Sequence, residues 1–145
     1  MKIGVIGAGS WGTALARLLA RAGHDVILWA YEAEVVQSIR DLHENSLFLA
    51  GVKLPENLRG TGDLAEAVSE RDMLVEVAPS HVVRLVMSKA ASHITGKPLI
   101  AIATKGIEND TLSTMDEVLA DVLPGDHAQR ISVLSGPSFA KEVGA

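Results

Sequence analysis

Apolar positions along this chain switch period repeatedly. Short β-branched and aliphatic runs predict strands at Ile3–Ile6, Val26–Trp29, Met73–Ala78, Leu99–Ala103 and Ile131–Leu134, with a weaker one at Leu58–Thr61. Between them lie helical stripes. Trp11, Ala14, Leu15, Leu18, Leu19 and Ala22 follow the i, i+3, i+4, i+7 rule, and Gly23 is placed to close that helix. Val82, Val83, Leu85, Val86 and Ala90 predict a second helix. Leu112, Met115, Val118, Leu119 and Val122 predict a third, stopped by Pro124-Gly125. The strands are apolar on both faces, as in parallel sheets covered on each side. Strands alternating with helices through right-handed crossovers predict an α/β domain with a doubly wound, mostly parallel sheet. Only the stretch from Asn45 to Asn57, NSLFLAGVKLPEN, resists the scheme. Loops of that length are usually functional or packed on a neighbour, and burial against a further domain is the expectation here.

The chemistry gathers where strands end. Gly7, Gly9 and Gly12 spell G-x-G-x-x-G directly after the first strand and at the opening of the first helix, the context a dinucleotide fingerprint requires. In a Rossmann-type fold the first glycine allows the tight turn, the second lets a pyrophosphate approach the backbone, and the third permits close helix–strand contact. Unpaired amides at the helix start would face the anion. The terminus itself contributes about 0.3–1 kcal/mol per charge, so amide hydrogen bonds must carry much of the affinity. Glu32 lies 20 residues after Gly12, past the second strand, where an acid would bond the adenosine ribose hydroxyls. Glu34 in the same stretch offers a second acid. A carboxylate there repels a 2′-phosphate by about 4 kcal/mol at about 4 Å and an effective dielectric near 20, so NAD is favoured over NADP. Tyr31 is placed to lie against the adenine or simply to pack.

Three further turns follow apolar strands: Ala78-Pro79-Ser80, Thr104-Lys105-Gly106 and Ser135-Gly136-Pro137-Ser138. In a parallel sheet they share the carboxyl edge with the fingerprint, and ligands bind along that edge. Lys105, between a strand end and a glycine, can attract an anionic substrate, donate to its oxygens and aid proton transfer. Ser138 offers a hydroxyl and Gly136 an amide, although a β-turn followed by an N-cap accounts for these two residues equally well.

Composition narrows the classes. The 145 residues, 48% hydrophobic and 21% charged, suit one globular domain with a buried core. A net charge of −5 without any basic stripe argues against a nucleic-acid surface. The absence of cysteine fits a reducing compartment and excludes thiolate metal sites, and the five histidines lack ligand spacing, so no metal is expected. The apolar start is broken by Gly4, Gly7, Gly9, Gly12 and Arg17, so neither a signal peptide nor a membrane span is expected and the chain reads as cytoplasmic.

Taken together, GAGSWGTALA, HEN…LPENL, TKGIE and SGPSFAKEV resemble the soluble NAD(P)-dependent glycerol-3-phosphate dehydrogenases over essentially the whole chain. The first motif is shared by many dehydrogenases, whereas the last two in this order are far more specific. The resemblance implies reduction of dihydroxyacetone phosphate to sn-glycerol 3-phosphate, a phospholipid precursor. It implies cofactor contacts at Ser10, Trp11, Tyr31, Glu32, Pro79 and Ala140. Lys105 would touch both cofactor and substrate, and Gly136 and Ser138 the substrate. It further implies a helical substrate domain after residue 145, carrying a catalytic lysine and most phosphate-binding groups, and it admits a homodimer for the full-length protein. Residues 1–145 alone are then expected to bind cofactor and to catalyse poorly. Three departures stand out: an acid at Glu32 where bacterial members often carry a basic residue, Ala50 where proline is common, and Glu76 within an apolar strand. A buried unpaired carboxylate is costly, so Glu76 should reach solvent, a partner or the cofactor edge. Two other readings remain: the cofactor domain of another β-hydroxyacid-type dehydrogenase, and a non-catalytic NAD(H)-sensing module.

Overall fold

The computed structural model describes residues 1–136 and 139–144. The chain runs β1 (Lys2–Ile6), α1 (Ser10–Arg21), β2 (Asp25–Trp29), α2 (Ala33–Leu42), β3 (Glu44–Asn45), β4 (Leu49–Lys53) and β5 (Leu58–Thr61). It continues through α3 (Leu64–Val68), β6 (Met73–Glu76), α4 (Val83–Ala91), β7 (Leu99–Ile102), α5 (Met115–Val122), β8 (Ile131–Val133) and α6 (Ala140–Val143). Six strands form one parallel sheet in the order β5-β2-β1-β6-β7-β8, and β3 with β4 forms a separate antiparallel pair. Counting the sheet strands in chain order, the arrangement is 3-2-1-4-5-6, the Rossmann order, whose direction reverses between β1 and β6.

Period-two alternation sends neighbouring side chains to opposite faces. Ile6, Ile27, Leu74, Ile100 and Ile102 pack under α3, α4 and α5 with Val68, Val83, Met87, Val118 and Leu119. Ile3, Val5, Val26, Leu28 and Val75 pack under α1 and α2 with Leu15, Ala16, Val35 and Ile39. Helix α1 closes as expected: Gly23 (φ +87°) donates to the Ala20 carbonyl and His24 to that of Leu19, a Schellman closure. Among the described residues no helix is long and apolar enough to cross a membrane.

Several boundaries differ from expectation. Leu112 is not part of α5: it is 69% exposed with φ +60°, and the helix starts at a Thr114–Glu117 capping box. Strand β6 ends at Glu76 rather than Ala78, because its partner β1 ends at Ile6 and the chain turns at Gly7. Helices α2 and α3 were not expected; α2 buries only Val35 and Ile39, too narrow a stripe to stand out. The stretch 45–57 holds a hairpin, β3 with β4, and sets Asn45, Leu49 and Leu54 in burial within this chain. Leu47 and Phe48 at its tip are exposed.

Candidate functional site

At the reversal point the ends of β1 and β6 touch. Gly7 turns with φ +118°, and a Cβ there would stand 2.7 Å from the Ala78 nitrogen and 2.8 Å from the Val77 carbonyl carbon. A Cβ on Gly12 would overlap the Gly7 carbonyl oxygen and reach Val77 Cγ1 at 2.8 Å. Gly9 is different. Nothing lies within 4 Å of its would-be Cβ, so its space opens outward. Its carbonyl accepts from Thr13 N at 2.9 Å, while the first α1 amides, at Ser10, Trp11 and Gly12, precede any intrahelical acceptor. No acidic side chain sits in that first turn.

Side chains hold this loop from beneath. Asn45, fully buried, donates through Nδ2 to the Ala8 carbonyl at 2.8 Å and to Thr13 Oγ1 at 2.8 Å, and its Oδ1 accepts from Phe48 N at 3.0 Å. Thr13 Oγ1 also donates to the Ala8 carbonyl, at 3.2 Å. Asn45 thus fastens the hairpin to the glycine loop, a role its place in an aperiodic stretch did not reveal.

Above the loop lies a groove of about 1020 Å³. It brings together Gly7, Gly9, Ser10, Trp11, Gly12, Tyr31, Glu32, Pro79 and Lys105. Trp29, Phe48, Leu64, Val77, His81, Leu85 and Lys89 also line it and were not singled out from sequence. Glu32 is the N-cap residue of α2 but makes no side-chain capping bond, leaving its carboxylate available; Tyr31 is 85% exposed. At the far end Lys105 Nζ donates to the Leu134 carbonyl at 3.1 Å, which sets it beside the turn leading to Gly136. Gly136 and Ala140 do not line the groove. Ala140 opens α6, which packs on α1, and Ser138 lies outside the described residues.

The Lys105 turn is anchored from behind. Glu108 accepts two hydrogen bonds from Arg84 of α4, at 2.7 and 2.8 Å, and one from Thr111. Those bonds hold its carboxyl down at about 2. Glu76 shows the opposite. It is fully buried between Ile6 and Ile102, neither reaching solvent nor lining the groove, and burial pushes its carboxyl up to about 7. Its partner is the Ala78 amide, 2.8 Å from Oε1.

A glycine loop opening a helix at a Rossmann reversal point fits many dehydrogenases, and similarity to known proteins decides among them. The family model described as NAD-dependent glycerol-3-phosphate dehydrogenase N-terminus matches residues 2–145. The chain belongs to that family. A glycerol-3-phosphate dehydrogenase [NAD(P)+] of Geobacter sulfurreducens is 56% identical over 142 residues, covering 98% of this chain and 42% of that protein. Its namesake in Citrifermentans bemidjiense is 54% identical with the same coverage. The crystal structure of glycerol-3-phosphate dehydrogenase from Coxiella burnetii superposes with a TM-score of 0.88 at 35% identity, over 99% of this chain and 43% of that one. The chain therefore spans about two fifths of the length of these glycerol-3-phosphate dehydrogenases. Within the family's N-terminal region, the glycine loop, Glu32 and Lys105 share one groove in this structure.

Proposed function

We propose that this chain binds NAD(H) as the cofactor half of an enzyme that reduces dihydroxyacetone phosphate to sn-glycerol 3-phosphate. The observation that carries the reading is the groove, with free helix amides and the open Gly9 at one end and Lys105 at the other. Gly7 and Gly12 make the tight turn, and the amides of Ser10 and Trp11 bond the pyrophosphate. Glu32 accepts from the adenosine ribose hydroxyls and disfavours a 2′-phosphate, while Tyr31 covers the adenine and Pro79 bounds the middle of the groove. When bound, the cofactor supplies the hydride that reduces the substrate carbonyl.

Lys105 holds negative charge on the substrate as the carbonyl is reduced. Its exposed ammonium retains hydrogens for that task beyond the one given to Leu134. Gly136 and Ser138 contact the substrate beside it, and Ala140 meets the cofactor from α6. A helical domain following this chain supplies the proton donor and the phosphate clamp, so this chain alone turns over poorly. The same reading carries a phosphorylated three-carbon substrate, a part in phospholipid precursor synthesis, the cytoplasm and a full-length homodimer, without nucleic acid or membrane as partner.

The test is a fluorescence titration of this chain with NADH and with NADPH, each with and without dihydroxyacetone phosphate. Saturable binding of NADH, tighter than that of NADPH and little changed by the phosphate, is expected. Preference for NADPH would defeat the role of Glu32, and binding of neither by a folded chain would defeat the reading.

A further inference from the structure

Glu76 is a carboxyl group in the middle of a parallel sheet, with no place in the scheme above. Its Oε1 accepts from the Ala78 amide, while Oε2 is buried without a partner among the described residues. The Thr104 hydroxyl is the other polar side chain acting on this carboxyl. Its single hydrogen is already given to the Ala78 carbonyl, 2.6 Å away. Among the described residues Oε2 is thus left buried with neither a donor nor a cation beside it, which favours the neutral acid. Glu76 and Thr104 between them take both backbone groups of Ala78: its N–H goes to Glu76 Oε1, and its carbonyl accepts from the Thr104 O–H.

The two bonds have a purpose in the fold. Ala78 lies beyond the end of β6, so neither of its backbone groups has a ladder partner, and Pro79 after it has no amide to offer. Yet Ala78 is the residue against which Gly7 turns, and Val77, Ala78 and Pro79 form the groove wall across from the glycine loop.

We propose that Glu76, as a neutral acid, is a positioning residue of the nucleotide groove: with Thr104 it closes both backbone groups of Ala78 and fixes the β6 turn against the glycine loop. Ionisation would place an uncompensated charge on the buried, unpartnered Oε2, shift the β6 end as that charge seeks water, and weaken nucleotide binding. Among the described residues no other charged group intervenes. On the face that Glu76 shares, Glu66 of α3, His81 and Lys89 at α4, and Asp116, Glu117 and Asp121 of α5 are exposed. Arg84 is engaged by Glu108 and Asp121, and burial, Thr104 and Ala78 alone act on Glu76.

The inference rests on the nucleotide-binding reading, and its test separates the two. NADH affinity is measured from about pH 6 to about pH 9 in a His81→Asn background, which removes the groove's imidazole, for the parent and for Glu76→Gln, Glu76→Val and Thr104→Val. Exchange of the Ala78 amide is followed alongside by NMR. The parent should lose affinity by about tenfold across that range, the usual cost of one buried polar group left unpaired. Glu76→Gln, whose amide mimics the neutral acid, should bind like the low-pH parent and show no slope. Glu76→Val and Thr104→Val should bind weakly at every pH, and Glu76→Val should exchange Ala78 at least about tenfold faster. An unchanged slope in Glu76→Gln, or parental affinity in Glu76→Val, would overturn the proposal. Absence of NADH binding in the parent would defeat the nucleotide reading and the positioning role with it; slow Ala78 exchange in Glu76→Val would defeat the positioning role by itself.

Discussion

The two ends of the groove are built on different terms. At the glycine loop the Ala8 carbonyl, Thr13 and Asn45 bond one another in full burial, and Gly7 and Gly12 touch neighbouring backbone with no room for a methyl group. At the Lys105 end the wall is thin. Val133 is 58% exposed, Leu134 44% and Phe139 64%, and Lys105 makes a single bond to a carbonyl. The contrast teaches where each task resides. On the proposed reading, the nucleotide cradle is set by contacts within this chain, while the Lys105 end leaves apolar side chains open to solvent.

Breaking the tight end should produce the largest effects. Gly12→Val drives a branched side chain into the Gly7 carbonyl and Val77, and a urea melt should show a loss of about 3 kcal/mol or failure to fold. Stability should also fall by about 3 kcal/mol as pH rises from 4.5 to about 7. The sign follows from Glu76: its folded carboxyl holds a proton more tightly than the unfolded one, so the advantage is complete below 4.5 and gone above about 7. Melts of Glu76→Gln should lack that decline. Glu108 works the other way, its contribution present above 4.5 and lost as pH falls through about 2. Asn45→Ala removes three hydrogen bonds at once, two of them buried, and should cost about 2 kcal/mol in the same melt.

The groove's two polar contacts, Glu32 at the nucleotide end and Lys105 at the open end, should respond weakly in stability and strongly in binding or chemistry. Glu32→Arg should shift the NADH-to-NADPH affinity ratio toward NADPH by about tenfold, read by paired titrations. Lys105→Met should change the melt by less than about 0.5 kcal/mol, while abolishing most turnover in the full-length enzyme. A large loss of stability in Lys105→Met would erase the distinction between the two ends.

Much of the tight end was legible in sequence, because its signals are local. The glycine spacing, the strand before it and the apolar stripe after it lie within some twenty residues, and Gly23 sits where the closing bonds form. The parallel order followed from apolar runs separated by helices. What escaped depends on residues that meet only after folding. Asn45 reaches Ala8 across 37 positions, and Thr104 reaches Ala78 across 26. Glu76 was conspicuous as a misplaced acid, but its surroundings could not be read from the strand that contains it. Leu112 shows the reverse error: its spacing fits the helical stripe, yet the capping box two residues later sets the start of α5.

Gly9→Ala gives the most direct test of the cradle, because its backbone (φ −63°) accepts alanine and nothing lies within 4 Å of the added methyl. Calorimetric titration with NADH, run beside thermal melts of both proteins, separates fold from binding. Unchanged melting with at least about a tenfold loss of NADH affinity would place the pyrophosphate against Gly9. Unchanged melting with undiminished affinity would mean that the dinucleotide does not pass over this loop, contradicting the account at its centre.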